Sequence, residues 1–98
     1  MNLTGKQKRF LRSEAHHIDP IFQIGKSGIN ENMVQQIVDA LEKRELIKVH
    51  ILQNNLDDKT ELAHQLSQAT ESHLVQQIGS MIVLYKTSKN HQSIELPS

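Results

Sequence analysis

The succession of apolar and polar positions divides the chain into seven elements. Phe10, Leu11, Ala15 and Ile18 recur at helical spacing, while Lys8, Arg12 and His16 lie four apart on another ridge with Arg9 beside Arg12. This predicts an amphipathic helix over roughly residues 4–17 with a basic outer face. Thr4-Gly5-Lys6-Gln7 fits a capping box at its start, and Asp19-Pro20 closes it, because the residue before proline disfavours the helical region. Residues 21–24 read as a short strand. A second helix follows, capped by Asn30 or a neighbour, with a stripe of Met33 or Val34, Ile37, Val38 and Leu41. Glu31 sits near its positive end and Lys43-Arg44 near its negative end, as the helix dipole favours.

Residues 46–52 alternate, with Ile47, Val49 and Ile51 on one side and Lys48 and His50 on the other, which predicts a strand with one dry and one partly wet face. Asn54-Asn55 is a turn. Asp57 or Asp58, with Glu61, starts a third helix that carries Leu62, Ala63, Leu66 and Ala69 inward. Residues 73–78 form a strand, and Gly79-Ser80 suits a two-residue hairpin with glycine first. The unbroken apolar run Met81-Ile82-Val83-Leu84-Tyr85 predicts a strand covered on both faces, hence central in the sheet. Residues 87–98 are a polar tail that Ile94 and Leu96 can pin down. The order α-β-α-β-α-β-β gives an α/β fold with a small mixed four-stranded sheet, built from two strand–helix–strand units and a terminal hairpin. The order of the strands stays open. With 98 residues, no internal repeat and no linker, the expectation is one domain over the whole chain.

Composition narrows the function. There is no cysteine, which excludes disulfide scaffolds, thiol catalysis and thiolate zinc sites. No apolar run approaches the roughly 20 residues of a membrane span, and residues 1–11 lack the apolar stretch of a secretory signal. A soluble cytoplasmic protein is expected, without membrane contact. Phe10, Phe22 and Tyr85 are the only aromatics, too few for a base-stacking platform. Net charge is zero but uneven: +3 over residues 1–30, −4 over 31–80 and +1 over 81–98. A positive pole at the amino-terminal end suits docking on phosphates, and equally suits a solvated helix face.

The sharpest local feature is Gly25-Lys26-Ser27-Gly28, between a strand and a helix. Glycines three apart let the backbone bend and approach a ligand without a Cβ in the way. The loop leads to a helix N-terminus, where free N–H groups favour an anion, and Lys26 and Ser27 add a cation and a hydroxyl. A GXXG loop of this kind clamps nucleic-acid backbone in KH domains. The same residues also read as a plain structural turn. Walker A and dinucleotide fingerprints are missing, so no nucleotide cofactor is expected. The six histidines are scattered or adjacent rather than at ligand spacing, so no metal is expected either. Asp57-Asp58 and Glu42/Glu45 read as a helix cap and a helix end. No nucleophile elbow or acid–base constellation is present, which argues against an enzyme and a small-molecule substrate.

Leu3-Thr4-Gly5-Lys6-Gln7-Lys8, Gln23-Ile24-Gly25-Lys26-Ser27-Gly28-Ile29, Glu45-Leu46-Ile47-Lys48-Val49 and Gln77-Ile78-Gly79 through Val83-Leu84-Tyr85-Lys86 together resemble the YhbY-like family. These are stand-alone bacterial members of the CRM (chloroplast RNA splicing and ribosome maturation) group. The blocks cover nearly the whole chain in the same order, and Ile94-Glu95-Leu96-Pro97 is similar to the family's ending. The resemblance implies a fold related to the C-terminal domain of translation initiation factor three. It also implies a non-catalytic RNA-binding protein that acts on ribosomal RNA and pre-large-subunit particles in large ribosomal subunit assembly. The implied contacts are Gly25, Lys26, Ser27 and Gly28 of the loop and Lys6, Lys8, Arg9 and Arg12 of the first helix, with Lys48 and Lys86 as further candidates. Lys86 stands where the family often has arginine, which keeps the charge but not a bidentate phosphate fork. The alternative is a protein-interaction module that docks on a ribosome assembly factor or ribosomal protein through helices two and three. Oligomeric state is not legible in the sequence.

Overall fold

A computed structural model describes residues 2–98. Thr4 caps α1 (Gly5–Ala15) as its sequence predicts: the Thr4 hydroxyl accepts from the Gln7 amide at 3.1 Å, and the Gln7 side chain accepts from the Thr4 amide at 3.0 Å. After α1 come β1 (Phe22–Ile24), α2 (Glu31–Arg44), β2 (Leu46–Ile51), α3 (Lys59–Ala69), β3 (His73–Ile78) and β4 (Met81–Tyr85). Asn30 caps α2 and Asp58 caps α3, each side chain accepting from the amide three residues on.

The sheet order is β1-β2-β4-β3, with β1 parallel to β2 and β4 antiparallel to both of its neighbours. The apolar run of β4 is thus central, as expected, and it separates β2 from β3. Alternation along the strands sends side chains to two cores. Ile47, Val49, Ile51, Ile82 and Leu84 meet Ile37 and Leu41 of α2 and Leu62, Ala63 and Leu66 of α3 on one face. On the other, Leu46, Val75, Val83 and Tyr85 meet Leu11 and Ala15 of α1, with Phe10 and Ile18 at the margin. No helix among the described residues is long and apolar enough to cross a membrane.

The inward face of α3 differs from the pattern in one respect. Ala69 is exposed, and Ser67 and Thr70 are buried instead. Their hydroxyls donate to carbonyls of their own helix, Ser67 to His64 at 3.0 Å and Thr70 to Leu66 at 2.8 Å. A hydroxyl bonded in this way can enter a core at little cost, which a count of apolar residue types overlooks.

The tail returns across the α1 core, where Ile94 and Leu96 pack against it. Two glutamates at the end of α2 hold it. Glu45 is fully buried, and its carboxylate accepts from the amides of Ser88, Ser93 and Ile94 at 2.7–2.9 Å. Glu42 accepts from the Ser88 hydroxyl and the Lys89 and Asn90 amides at 2.8–2.9 Å.

Candidate nucleic-acid interface

At the end of β1 the chain must reverse into α2, and the two loop glycines shape that reversal. The Gly28 amide donates to the Gly25 carbonyl at 3.1 Å, and Gly28 has φ 74°, in the region that favours glycine. A Cβ at Gly28 would also lie 3.4 Å from Asp57 Oδ2. Gly28 is buried, and its amide is spent within the turn. Lys26 and Ser27 stand exposed at the tip, and neither of their amides has an acceptor among the described residues. The anion-binding capacity of the loop therefore rests on its middle two residues. The positive end of α2 contributes less, because the Asn30 side chain takes the Met33 amide at 2.8 Å and Glu31 already supplies a negative charge.

The loop is held from behind by the segment that follows β2. Asn55, 7% exposed, donates its side-chain amide to the Gly25 carbonyl at 2.9 Å and accepts from the Asp57 amide at 2.9 Å. Leu52 donates to the Ile24 carbonyl at 2.9 Å. Asn55 is thus a positioning residue for the glycine loop. The sequence shows it only as half of an asparagine pair in a turn, and its partner lies 30 residues away.

Of the cations, Lys8 and Arg9 are exposed on α1. Burial, more than any nearby positive charge, holds the His73 imidazole of β3 below its usual 6.5. Arg12 and His16 border a shallow groove whose opposite wall includes Lys48 of β2. Lys48 pairs with Val83 and so projects on the α1 face of the sheet, as does His50 opposite Met81. The Lys48 carbonyl accepts from the Ile21 amide, so the loop at Gly25 lies four residues farther along the strands, about 13 Å at roughly 3.3 Å per residue. Arg12, His16 and Lys48 thus meet on the α1 face, while Lys26 stands at the end of the sheet where β1 turns into α2.

Lys6 and Lys86 lie elsewhere. Lys6 Nζ reaches the Ser98 carbonyl at 3.4 Å, while Gln7 donates to the Pro97 carbonyl at 3.1 Å, so both are turned to the tail. Lys86 follows β4, at the end of the sheet away from the glycine loop, and donates to the Thr70 carbonyl at 3.3 Å. A cavity of 410 Å³ on another flank of α1 is lined by Glu14 and Asp19 together with Arg44, a mixed set that does not favour a polyanion.

Comparison with known proteins agrees with this architecture. Residues 3–86 match the CRS1 / YhbY (CRM) domain. Over 95 residues the chain is 62% identical to a Bacillus subtilis protein described as probable RNA-binding protein YqeI, covering 97% of this chain and 99% of that one. It is 36% identical to a Haemophilus influenzae protein described as an RNA-binding protein, covering 97% and 95% of the two chains. The solution structure of a hypothetical protein from Staphylococcus aureus, 73% identical, superposes with a TM-score of 0.81 over 98% of this chain and 100% of that one. With the family model matched over residues 3–86 and a 62% identical relative covered almost end to end, the chain belongs to the CRS1/YhbY, or CRM, domain family.

Proposed function

We propose that this protein is a non-catalytic RNA-binding module that acts on ribosomal RNA during large-subunit assembly. The Lys26 and Ser27 amides and the Lys26 ammonium take one phosphate, and Lys8, Arg9, Arg12 and Lys48 follow the neighbouring ones. The observation that carries the reading is the pair of unpartnered amides on an exposed cationic tip. Backbone amides and lysines recognise phosphate without reading sequence, so docking is governed by RNA shape and charge. The names of the relatives support RNA as the partner. The ribosomal assignment rests on the family resemblance.

The test is Lys26→Glu, because Lys26 is exposed and holds nothing else in place, whereas a change at Gly28 strains the turn itself. The variant keeps the wild-type melting temperature and binds a ribosomal RNA fragment about tenfold more weakly at low salt. A folded Lys26→Glu protein with wild-type affinity would refute the loop's role. Association with pre-large-subunit particles is read by sedimentation with and without nuclease. Association that survives digestion supports docking on a protein instead.

A further inference from the structure

The groove between α1 and the sheet has a makeup that phosphate binding alone does not call for. Its volume is 140 Å³, and it is lined by Arg12, Ala15, His16, Lys48, Gln76, Ile78, Met81 and Val83. Ala15 and Val83 are buried at its base, and Ile78 is 64% exposed beside Met81, which gives an aliphatic floor. Cationic groups stand at both sides: Arg12 from α1 and Lys48 from β2.

Gln76 is there because of an irregularity in β3. Pairing with β4 slips between Leu74 and Gln76, so that Leu74 faces Leu84 and Gln76 faces Val83 with Val75 between them. Val75 belongs to the α1 core. Strict alternation would therefore send Gln76 and Ile78 to the α2–α3 face, as it does Leu74. The bulge instead returns both to the α1 face, opposite Val83 and Met81. The Gln76 side chain has no hydrogen-bond partner among the described residues, whereas its neighbour Gln77 bonds Thr60 and Gly79. A free carboxamide, donor and acceptor together, is thus aimed over an aliphatic floor between positive charges.

We infer that this groove takes one unpaired nucleobase of the bound RNA. The inference rests on the RNA-binding reading and adds to it a preference for RNA with an unstacked nucleotide over a continuous duplex. The fit is one of chemistry and size. The space corresponds to about five waters at roughly 30 Å³ each, the bulk of a single heterocycle and not of a base pair. The aliphatic floor packs the face of the ring, Gln76 meets its polar edge, and Arg12 and Lys48 receive the flanking phosphates. The site lies beside the proposed phosphate track.

Binding of the full chain to two RNA hairpins tests this: one with a fully paired stem, the other identical except for a single bulged nucleotide. The wild type binds the bulged hairpin about five- to tenfold more tightly. Gln76→Ala combined with Ile78→Ala, on partly exposed positions of an edge strand, brings the bulged hairpin to the affinity of the paired one. Lys26→Glu weakens both hairpins alike. Equal affinity of the wild type for the two RNAs, or a bulge preference retained by the folded double variant, overturns the base site while the phosphate reading stands. Failure of both hairpins to bind the wild type overturns the RNA-binding reading and the base site with it.

Discussion

Glu45 and Glu71 both have a positive φ, 65° and 52°. Each follows a helix where glycine is the common choice, because a left-handed L-residue costs roughly 1–2 kcal/mol. Their side chains make the two positions opposite in effect. Glu71 is exposed and lends only its backbone, with its amide donating to the Gln68 carbonyl while that of Ser72 donates to Ser67. Glu45 is fully buried, and its carboxylate is the acceptor for three tail amides. Glu71→Gly should therefore stabilise the protein by about 0.5–1 kcal/mol, the relief of strain less the added freedom of the unfolded chain. Glu45→Gly also relieves a positive φ but leaves the tail amides without their acceptor, and should destabilise by about 2–3 kcal/mol. Urea denaturation of the two variants reads both signs. A stabilised Glu45→Gly protein would mean that the tail amides do not depend on that carboxylate.

Among the elements, the tail and its clasp are the most sensitive to acid. Amides of Lys89 and Asn90, then the Ser88 hydroxyl, bring Glu42 from the usual 4.5 down to about 2. Burial alone would raise Glu45, but the amides of Ser88, Ser93 and Ile94 outweigh it and the net shift is downward. A carboxylate with a lowered pKa contributes stability that is complete above its unfolded value and is lost as pH falls through its folded one. The clasp should accordingly loosen between pH about 4.5 and about 2 and stay intact at neutrality. Amide exchange followed by NMR should show Ser88–Ile94 losing protection ahead of β4. Glu42→Gln should weaken the clasp at pH 7 and blunt the transition. None of this contact was legible in the sequence, where Glu42 and Glu45 read as a helix end, because the groups they bind lie 43 to 49 residues away. What was legible depends on neighbours along the chain. The Thr4–Gln7 box, the Asn30 and Asp58 caps and the apolar run of β4 each fixed a local structure that the fold retains. Strand order, the Asn55 strut and the bulge that re-aims Gln76 arise only from pairing between distant segments. The same holds for the cations. Helical spacing grouped Lys8, Arg9 and Arg12, but only tertiary structure turns Lys6 and Lys86 toward other carbonyls.

For the molecule as a whole, zero net charge has a meaning that the bare total conceals. On one face of the sheet α2 carries −1 (Glu31, Asp39 and Glu42 against Lys43 and Arg44) and α3 carries zero, whereas α1 over the other face carries +3 (Lys6, Lys8, Arg9 and Arg12 against Glu14). The positive charge is therefore concentrated on one face. A polyanion is drawn to the α1 face in preference to the opposite one, so the charge distribution orients docking even though it adds little bulk attraction. Such a molecule should bind RNA through a small, countable set of phosphates. The candidate cations are Lys8, Arg9, Arg12 and Lys48 on the α1 face and Lys26 at the glycine loop, five in all. Counterion release then predicts a slope of log affinity against log salt of about −3.5 for a single-stranded RNA, at roughly −0.7 per phosphate neutralised. Lys26→Glu should make that slope shallower by about 0.7, whereas Lys6→Ala and Lys86→Ala, whose amines face the tail and α3, should leave it nearly unchanged. A salt titration by fluorescence anisotropy compares the four proteins directly. A slope unaffected by Lys26→Glu but flattened by Lys86→Ala would move the interface to the far end of the sheet, where the chain leaves β4 for the tail.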